Sequence, residues 1–218
     1  MNKKVSVIIP AYNEEKTIRK VITVLQKEKD IIDEIVVIDN ASSDKTSSRA
    51  LSKGVNVYKC EKKGKGYAME TGIMHAKNEI LVFLDADINN YAGNLVHKLT
   101  APILNDEADF VKSEFSRNGG RVTTLVVKPL LSILFPDMYK FAQPLSGMIA
   151  GKKSDFEKIE LEKDYGVDIG ILLDMIQNGA RVKEVHIGKI NNDSQSWEKL
   201  EDMSKEVMRA ILKRAKIK

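Results

Sequence analysis

Short apolar runs alternate with amphipathic stretches through the first part of the chain. Residues 5–10 form an apolar run that ends in proline, and after it Ile18, Val21, Ile22 and Leu25 recur at spacings of three and four. This spacing places the four side chains on one face of a helix, whereas a short β-branched run is typical of a buried strand. The pattern therefore predicts a strand followed by a helix.

The same alternation continues along the rest of the sequence. Short strands that alternate with longer helices predict a mostly parallel central sheet with helices on both faces, which is an α/β fold. No stretch rich in Gly, Ser or Pro divides the chain, so we expect one domain over residues 1–218. The further predicted strands are 34–39, 55–58, 79–84, 108–113, 146–152 and 182–187, and the further predicted helices follow Asp44 or span 67–76, 121–134, 167–178 and 197–216.

Composition narrows the possible partners and location. The 35 basic and 31 acidic residues leave a formal net charge of only +4, and the two signs are interspersed, so we expect no nucleic-acid partner. Cys60 is the only cysteine, which excludes an internal disulfide and a multi-cysteine metal site. No stretch reaches the ~18 uninterrupted apolar residues of a membrane span. We expect a cytoplasmic protein without an integral membrane span.

Polar residues follow the predicted strands at one edge of the sheet. In open α/β sheets, ligands bind outside the carboxyl ends of the strands. Asp85 and Asp87 follow a buried strand and are separated by one residue, so they can reach different parts of one ligand. Carboxylate oxygens suit Mg²⁺ or Mn²⁺ bridging a diphosphate. A strand-end turn is the competing interpretation, and this pair of residues alone does not decide between the two.

Two other strand ends are ambiguous on their own. The backbone of Pro10 and Ala11 can pair with a nucleobase edge and Glu14 with a ribose hydroxyl, and Asp39 with Asn40 forms a second base-recognition candidate. Each segment also supplies ordinary helix-capping side chains. We expect the three strand ends together to form a donor site.

A glycine-rich turn and a glycine pair offer places for anions. Lys65 lies between two glycines before a helix, where a cation and free amides can face a diphosphate, although the spacing is not that of a P-loop. Gly120 precedes a predicted helix whose Arg121 and Thr123 add directed donors for a phosphate or carboxylate. Solvated lysines and a surface arginine at a helix start are the plainer alternatives.

Taken together, the motifs carry a family resemblance. The segments Ile9-Pro-Ala-Tyr-Asn-Glu14, Val37-Ile-Asp-Asn-Ala-Ser-Ser-Asp44, Lys65-Gly-Tyr-Ala and Leu84-Asp-Ala-Asp87 resemble the nucleotide-sugar half of GT-A fold glycosyltransferases. Segments of the second half, such as Gly119-Gly-Arg-Val-Thr123 and Gln143-Pro-Leu-Ser-Gly147, resemble the retaining glucosyl-3-phosphoglycerate synthases. The resemblance implies a GT-A type, Rossmann-like sheet, with about residues 1–100 binding the donor and about residues 101–218 binding the acceptor.

The resemblance also implies roles for single residues. Gly120, Arg121 and Thr123 match the segment that holds the phosphoglycerate acceptor in the family. Asp168 stands where the family usually has glutamate, one methylene longer, and a helix-start carboxylate stabilised by the macrodipole is the alternative. We expect Asp87, Asp168 and Lys65 to be the catalytic groups, and the resemblance implies a homodimer.

The chain departs from the family where a histidine-rich segment helps to bind the metal. Here the sequence reads Lys189-Ile-Asn-Asn-Asp-Ser-Gln195, so Asn192 or Asp193 is left as an oxygen ligand, with Asp193 favoured on charge. We expect Asp87 and Asp193 to hold the Mg²⁺ or Mn²⁺ ion.

The predicted activity is transfer of glucose from a nucleoside-diphosphate sugar, UDP-glucose first, to the 2-hydroxyl of 3-phosphoglycerate with retention. Two alternatives remain open at this point. One is a polyprenyl-phosphate glycosyltransferase that shares the first-half motifs. The other is a protein that binds a nucleotide sugar without turnover, which the altered segment at residues 191–194 keeps possible.

Overall fold

A single seven-stranded sheet forms the centre of the computed structural model, which describes residues 4–88, 90–116, 120–191 and 196–217. The strand order is β3-β2-β1-β4-β6-β5-β7. The strands are β1 (Val5–Ala11), β2 (Ile32–Asp39), β3 (Asn56–Lys59), β4 (Ile80–Phe83), β5 (Phe110–Ser116), β6 (Ile149–Lys152) and β7 (Val182–Lys189).

The sheet is mostly parallel, as the alternation of strands and helices predicts. Strand β1 pairs in parallel with β2 and β4, β2 with β3, and β5 with β7. Strand β6 runs antiparallel to both of its neighbours, β4 and β5. The α/β fold class is confirmed, with one reversed strand that the hydrophobic pattern does not indicate.

Helices cover both faces of the sheet. Along β1, Val7 and Ile9 pack into one apolar layer while Ile8 packs into the other, which explains the uninterrupted apolar run in the sequence. None of the helices in the described ranges is long and apolar enough to cross a membrane. The helices are α1 (Ile18–Leu25), α2 (Thr46–Leu51), α3 (Lys65–His75), α4 (Leu95–Leu104), α5 (Lys128–Leu134), α6 (Lys153–Phe156), α7 (Val167–Gln177) and α8 (Trp197–Arg214), with a 3₁₀ turn at Pro136–Met138.

Two helices show where the sequence pattern works and where it does not. The stripe predicted for α1 is confirmed, because all four of its apolar side chains are buried. Helix α4 is an addition to the predicted elements. It contains Pro102, a residue that usually breaks helices, yet Leu95, Leu99 and Ile103 pack against the sheet. Tertiary packing here outweighs the local signal.

The helix predicted for residues 121–134 exists but is not regular. Its middle part, Thr123–Val127, is π-helical, and the N–H of Lys128 bonds to the carbonyl of Thr123. Helix α5 continues from Lys128 with Pro129 in its first turn, where the missing N–H of proline is tolerated. Single π-helical turns are frequent at functional sites, and this one begins beside the predicted acceptor segment.

A buried arginine fastens the C-terminal helix α8 to α7. Arg214, whose side chain is 6% exposed, donates from Nε to Asp174 Oδ1 at 2.7 Å and from Nη2 to Asp174 Oδ2 at 2.5 Å. It also donates from Nη1 to Glu162 Oε1 at 2.8 Å. A bidentate pair of this kind fixes the relative position of its two partners.

The Arg214 contacts predict a selective effect on stability. Arg214→Met leaves the partly buried Asp174 without a cation and leaves Glu162 with Lys213 alone, and we expect it to lower the free energy of unfolding by about 3 kcal/mol. Lys205→Ala on the same helix breaks only exposed pairs, so it should cost about 0.5 kcal/mol. Denaturant unfolding of the two variants measures this difference, and equal losses would contradict the role of Arg214.

Candidate functional site

A large cavity opens at the carboxyl ends of β1 and β4 and encloses about 900 Å³. Residues at both strand ends line it, since Ala11 is the last residue of β1 and Asp85 lies just after β4. Of the predicted site residues, those that line it are Pro10, Ala11, Glu14, Asn40, Lys65, Asp85, Asp87, Gly120, Arg121 and Asp168.

Lys65 is held between two carboxylates at the floor of this cavity. Its Nζ donates to Asp85 Oδ1 at 3.0 Å and to Asp168 Oδ2 at 2.8 Å. Burial alone lowers the pKa of the ammonium, but the charges of Asp168 and Asp85 outweigh it and raise the pKa above its ordinary value. Lys65 is therefore a charged group fixed by ion pairs, and the sequence, which predicted that it faces a diphosphate, did not indicate these two carboxylate partners.

The carboxylate of Asp168 retains one oxygen without a partner. Asp168 lies in the first turn of α7, is 5% exposed and uses Oδ2 for Lys65. Its Oδ1 is buried, and no described residue offers it a hydrogen bond. An unsatisfied buried acceptor is costly, so this oxygen is a natural partner for a hydroxyl of a ligand in the cavity.

Asp87 lies in an acidic environment. Burial, followed by the negative charges of Asp85 and Glu14, raises the pKa of Asp87 to about 7. Tyr91 donates its hydroxyl to the carbonyl of Asp85 at 2.8 Å, which holds the backbone between the two aspartates. Converging carboxylates that repel one another in this way are stabilised by a cation.

The side chains at this site supply part of the ligand shell of a hard divalent cation. Among the residues that the structure describes, no group of three or more His, Cys, Asp or Glu side chains is arranged to hold a metal ion. Mg²⁺ commonly takes one or two protein carboxylates and completes its shell with water and substrate phosphates. Asp87, which lines this cavity, can serve as one of these carboxylates. The predicted ligand Asp193 and its alternative Asn192 lie outside the described residues.

Glycines at three positions make the Lys65 contacts possible. A Cβ atom on Gly66 would overlap the carbonyl oxygen of Glu162, because the chain before α7 passes directly over the start of α3. A Cβ atom on Gly147 would lie 2.6 Å from Asp85 Oδ1 and closer still to the ammonium of Lys65. Gly64 precedes α3 with φ of 140°, a conformation that favours glycine.

Asp39 and Asn40 hold loops together at the second strand end. Asp39 accepts from the backbone N–H of Ser42 at 3.0 Å and from the hydroxyl of Ser47. The amide of Asn40 donates to the carbonyl of Lys62 at 2.6 Å and accepts from the N–H of Gly64 at 2.8 Å. Asn40 lines the cavity whereas Asp39 lies outside its lining. Both side chains tie loops together, and neither caps the first turn of α2 or α3.

The predicted acceptor residues border two cavities. Gly120 and Arg121 line the large cavity, while Gly120 and Thr123 line a neighbouring cavity of about 540 Å³. The hydroxyl of Thr123 is buried, and no described residue gives it a hydrogen-bond partner. The segment therefore separates the two cavities, and only part of it faces the donor side.

Lys112 is a buried charge that the sequence reasoning missed. It lies on β5 with no exposed surface, and its Nζ donates to the carbonyl of Ser146 at 2.7 Å and of Asp168 at 3.3 Å. Burial lowers the pKa of Lys112 to about 8. The available signal was a lysine directly after the apolar pair Phe110-Val111. Its contacts connect the segment before β6 to the first turn of α7, which carries Asp168.

Comparison with known proteins gives a consistent family. The sequence model of "Glycosyl transferase family 2" matches residues 6–151. The chain is 33% identical to the glucosyl-3-phosphoglycerate synthase of Petrotoga mobilis, over 97% of this chain and 73% of that protein.

Solved structures agree over almost the whole chain. The glucosyl-3-phosphoglycerate synthase of Mycobacterium tuberculosis in complex with Mn²⁺, UDP-glucose and phosphoglyceric acid superposes with a TM-score of 0.95 at 33% identity, covering 99% of this chain and 81% of that one. The same enzyme in complex with Mg²⁺ and UDP gives a TM-score of 0.95 at 32% identity, covering 99% and 80%. The expected GT-A type of fold is thereby confirmed.

The space beside Gly147 yields a prediction for the site. Gly147→Ala places a methyl group against Lys65 and Asp85, and misplacing such groups by a fraction of an ångström should lower kcat/KM for the donor about 10- to 100-fold. Gly93→Ala is a matched control, because a Cβ atom there meets nothing within 4 Å. Steady-state kinetics with thermal unfolding as a folding check measures the effect, and an unchanged kcat/KM in Gly147→Ala would refute the requirement for this space.

Proposed function

The chain belongs to glycosyl transferase family 2, among the glucosyl-3-phosphoglycerate synthases, and on that premise we propose that it transfers glucose from UDP-glucose to the 2-hydroxyl of 3-phosphoglycerate with retention of configuration. One structural observation carries the proposal. A single cavity joins an acidic strand end and the ion-paired ammonium of Lys65, which suit a cation-bound diphosphate, to Arg121, which suits an anionic acceptor.

The donor binds along the carboxyl ends of β1 and β4. The backbone at Pro10 and Ala11 borders the base, and Glu14 takes a ribose hydroxyl, since these residues line the cavity on the β1 side. Asp39 stays a prediction for base recognition, acting through the loop that it holds. Asp85 orients the ribose or the sugar while it also keeps Lys65 in place.

Asp87 is the residue that holds the divalent cation, together with Asp193 as the predicted further ligand. A bound Mg²⁺ or Mn²⁺ ion supplies neutralising charge to the departing nucleoside diphosphate. The raised pKa of Asp87, which follows from burial first and then from the charges of Asp85 and Glu14, supports this assignment, because a bound cation stabilises the ionised form of such a carboxyl.

Lys65 and Asp168 position the reacting end of the donor. An ammonium has three N–H donors, and two of those on Lys65 point to Asp85 and Asp168. The remaining donor serves a diphosphate oxygen. The unpartnered Oδ1 of Asp168 accepts a hydrogen bond from a sugar hydroxyl. Aspartate is one methylene shorter than glutamate, and the first turn of α7, which carries Asp168, lies close to Lys65.

The acceptor lies at the start of the helical segment 121–134. Arg121 pairs with an anionic group of 3-phosphoglycerate, and the amide of Gly120 and the hydroxyl of Thr123 add donors. The buried, unpartnered hydroxyl of Thr123 supports a polar ligand on its side of the segment.

Transfer proceeds on the front face of the sugar. Asp85 and Asp168 are both paired with Lys65, which weakens each of them as a covalent nucleophile. The bond from the anomeric carbon to the phosphate oxygen breaks, the bond to the acceptor oxygen forms on the same face, and the acceptor proton goes to the leaving phosphate oxygen. The protein contributes by fixing both substrates and by electrostatic stabilisation.

The wider setting follows the same proposal. Residues 1–218 form one cytoplasmic domain, which the absence of any cysteine pair in the sequence supports, with about residues 1–100 binding the donor and about residues 101–218 shaping the acceptor pocket. The chain forms a homodimer through the helical segment 121–134, where Leu125 and Ile133 are 68% and 74% exposed.

The activity is tested by incubating the protein with UDP-glucose, 3-phosphoglycerate and Mg²⁺. We expect glucosyl-3-phosphoglycerate, detected by mass spectrometry and assigned as the retained anomer by NMR. Asp87→Asn removes the charge that holds the cation and should lower kcat/KM at least about 100-fold, since metal stabilisation of the leaving group contributes several kcal/mol. Asp202→Asn, at an exposed position of α8, should stay within about twofold of the unaltered protein.

The outcomes separate the alternatives. No product with UDP-glucose or other common nucleotide sugars would contradict the proposal. Transfer to a polyprenyl phosphate in lipid vesicles instead of 3-phosphoglycerate would favour the second enzymatic interpretation. Calorimetric binding of UDP-glucose with Mg²⁺ but no turnover would favour a non-catalytic binding protein.

A further inference from the structure

The guanidinium of Arg121 lies against the ring of Trp197. The distance from Arg121 Cζ to the ring centroid is 4.8 Å, which is within the range of a cation–π contact. Arg121 stands at the start of the helical segment 121–134, and Trp197 is the first residue of α8. The contact therefore joins two elements at the rim of the large cavity, which Arg121 lines.

The contact leaves the hydrogen-bonding edge of Arg121 open. Over residues 4–88, 90–116, 120–191 and 196–217, the ring of Trp197 is the one partner that the structure gives to the Arg121 side chain. An aromatic ring covers the flat face of a guanidinium, while its N–H donors lie in the plane and match a carboxylate or phosphate. Arg121 is thus oriented on its face and free along its edge.

Core packing does not account for the position of Trp197. Trp197 is 69% exposed. The helix that carries it is capped at its start by Ser196, which accepts from the N–H of Lys199, and is fixed to α7 at its other end by the pair of Arg214 with Asp174. The ring is therefore an exposed aromatic surface that a fixed helix presents to Arg121.

We propose that Trp197 is a positioning residue that holds Arg121 in the orientation that binds an anionic group of the acceptor. The inference rests on the proposed function, which gives Arg121 its role at the acceptor. An exposed arginine samples many rotamers, and ordering it on binding has an entropic cost. A ring already stacked on the guanidinium reduces that cost and so lowers KM for the acceptor without touching the donor.

Three substitutions at residue 197 test the role of the ring. Trp197→Leu and Trp197→Ala remove the aromatic face and should raise KM for 3-phosphoglycerate about 3- to 10-fold, with kcat and KM for UDP-glucose within about twofold. Trp197→Phe keeps a smaller ring and should stay closer to the unaltered enzyme. Circular dichroism and thermal unfolding check that each variant is folded.

A double-substitution cycle distinguishes positioning from a separate structural effect. In an Arg121→Ala background, Trp197→Leu should have no further effect on KM for 3-phosphoglycerate, because the ring acts through the guanidinium. Additive effects, equal losses for both substrates, or an unchanged KM in Trp197→Leu would overturn the inference.

Binding can be followed without turnover, since Trp197 is the only tryptophan in the chain. Titration with 3-phosphoglycerate should change its fluorescence emission in the unaltered protein and not in the Arg121→Ala variant. An equal emission change in both proteins would overturn the inference. A protein that transfers no glucose contradicts the proposed function, whereas an active enzyme that is insensitive to loss of the ring contradicts this inference alone.

Discussion

The ammonium of Lys65, shared by Asp85 and Asp168, is the contact around which the cavity is organised. It joins the start of α3 and the end of β4, which are consecutive elements, to the first turn of α7, where Asp168 lies 103 positions from Lys65. Gly66 lets the chain before α7 cross α3, and Gly147 leaves room for the two side chains. Because breaking a buried ion pair leaves an uncompensated charge, the three elements are held in one arrangement, and that arrangement defines the donor cavity.

The charges around Lys65 also explain why the cavity favours binding of a cation. Lys65 neutralises only part of the charge of the carboxylates that line the cavity, which are Glu14, Asp85, Asp87, Asp164, Asp168 and Glu206. The effect is seen at Asp87. Its pKa is raised to about 7, first by burial and then by the negative charges of Asp85 and Glu14. A divalent cation that binds together with a diphosphate would neutralise negative charge on both the carboxylates and the diphosphate. The charge arrangement of the apoprotein and the metal dependence of the proposed reaction thus have one physical origin.

The residues at the strand ends could be predicted from the sequence, but the contacts between distant elements could not. The apolar run of β1 and the stripe of α1 follow from burial on one or two faces, so simple periodicity finds them. The antiparallel direction of β6 and the survival of α4 despite Pro102 depend on tertiary packing. The contact between Lys65 and Asp168 spans 103 positions, and the need for a glycine at residue 147 follows only from the placement of Lys65 and Asp85 beside it. Family resemblance brought Asp168 into the site, whereas nothing in the local sequence indicated its partner.

Proton release on donor binding tests most directly that this acidic cavity holds the cation. Calorimetry of UDP-glucose with Mg²⁺, in buffers of different ionisation enthalpy, counts the protons released. With a pKa of about 7 in the free protein, Asp87 is mostly protonated at pH 6 and must lose its proton to hold the ion, so the account predicts close to one proton released at pH 6, close to none at pH 8.5, and weaker binding as the pH falls below 7. Binding that requires Mg²⁺ but releases no proton at pH 6 would contradict it.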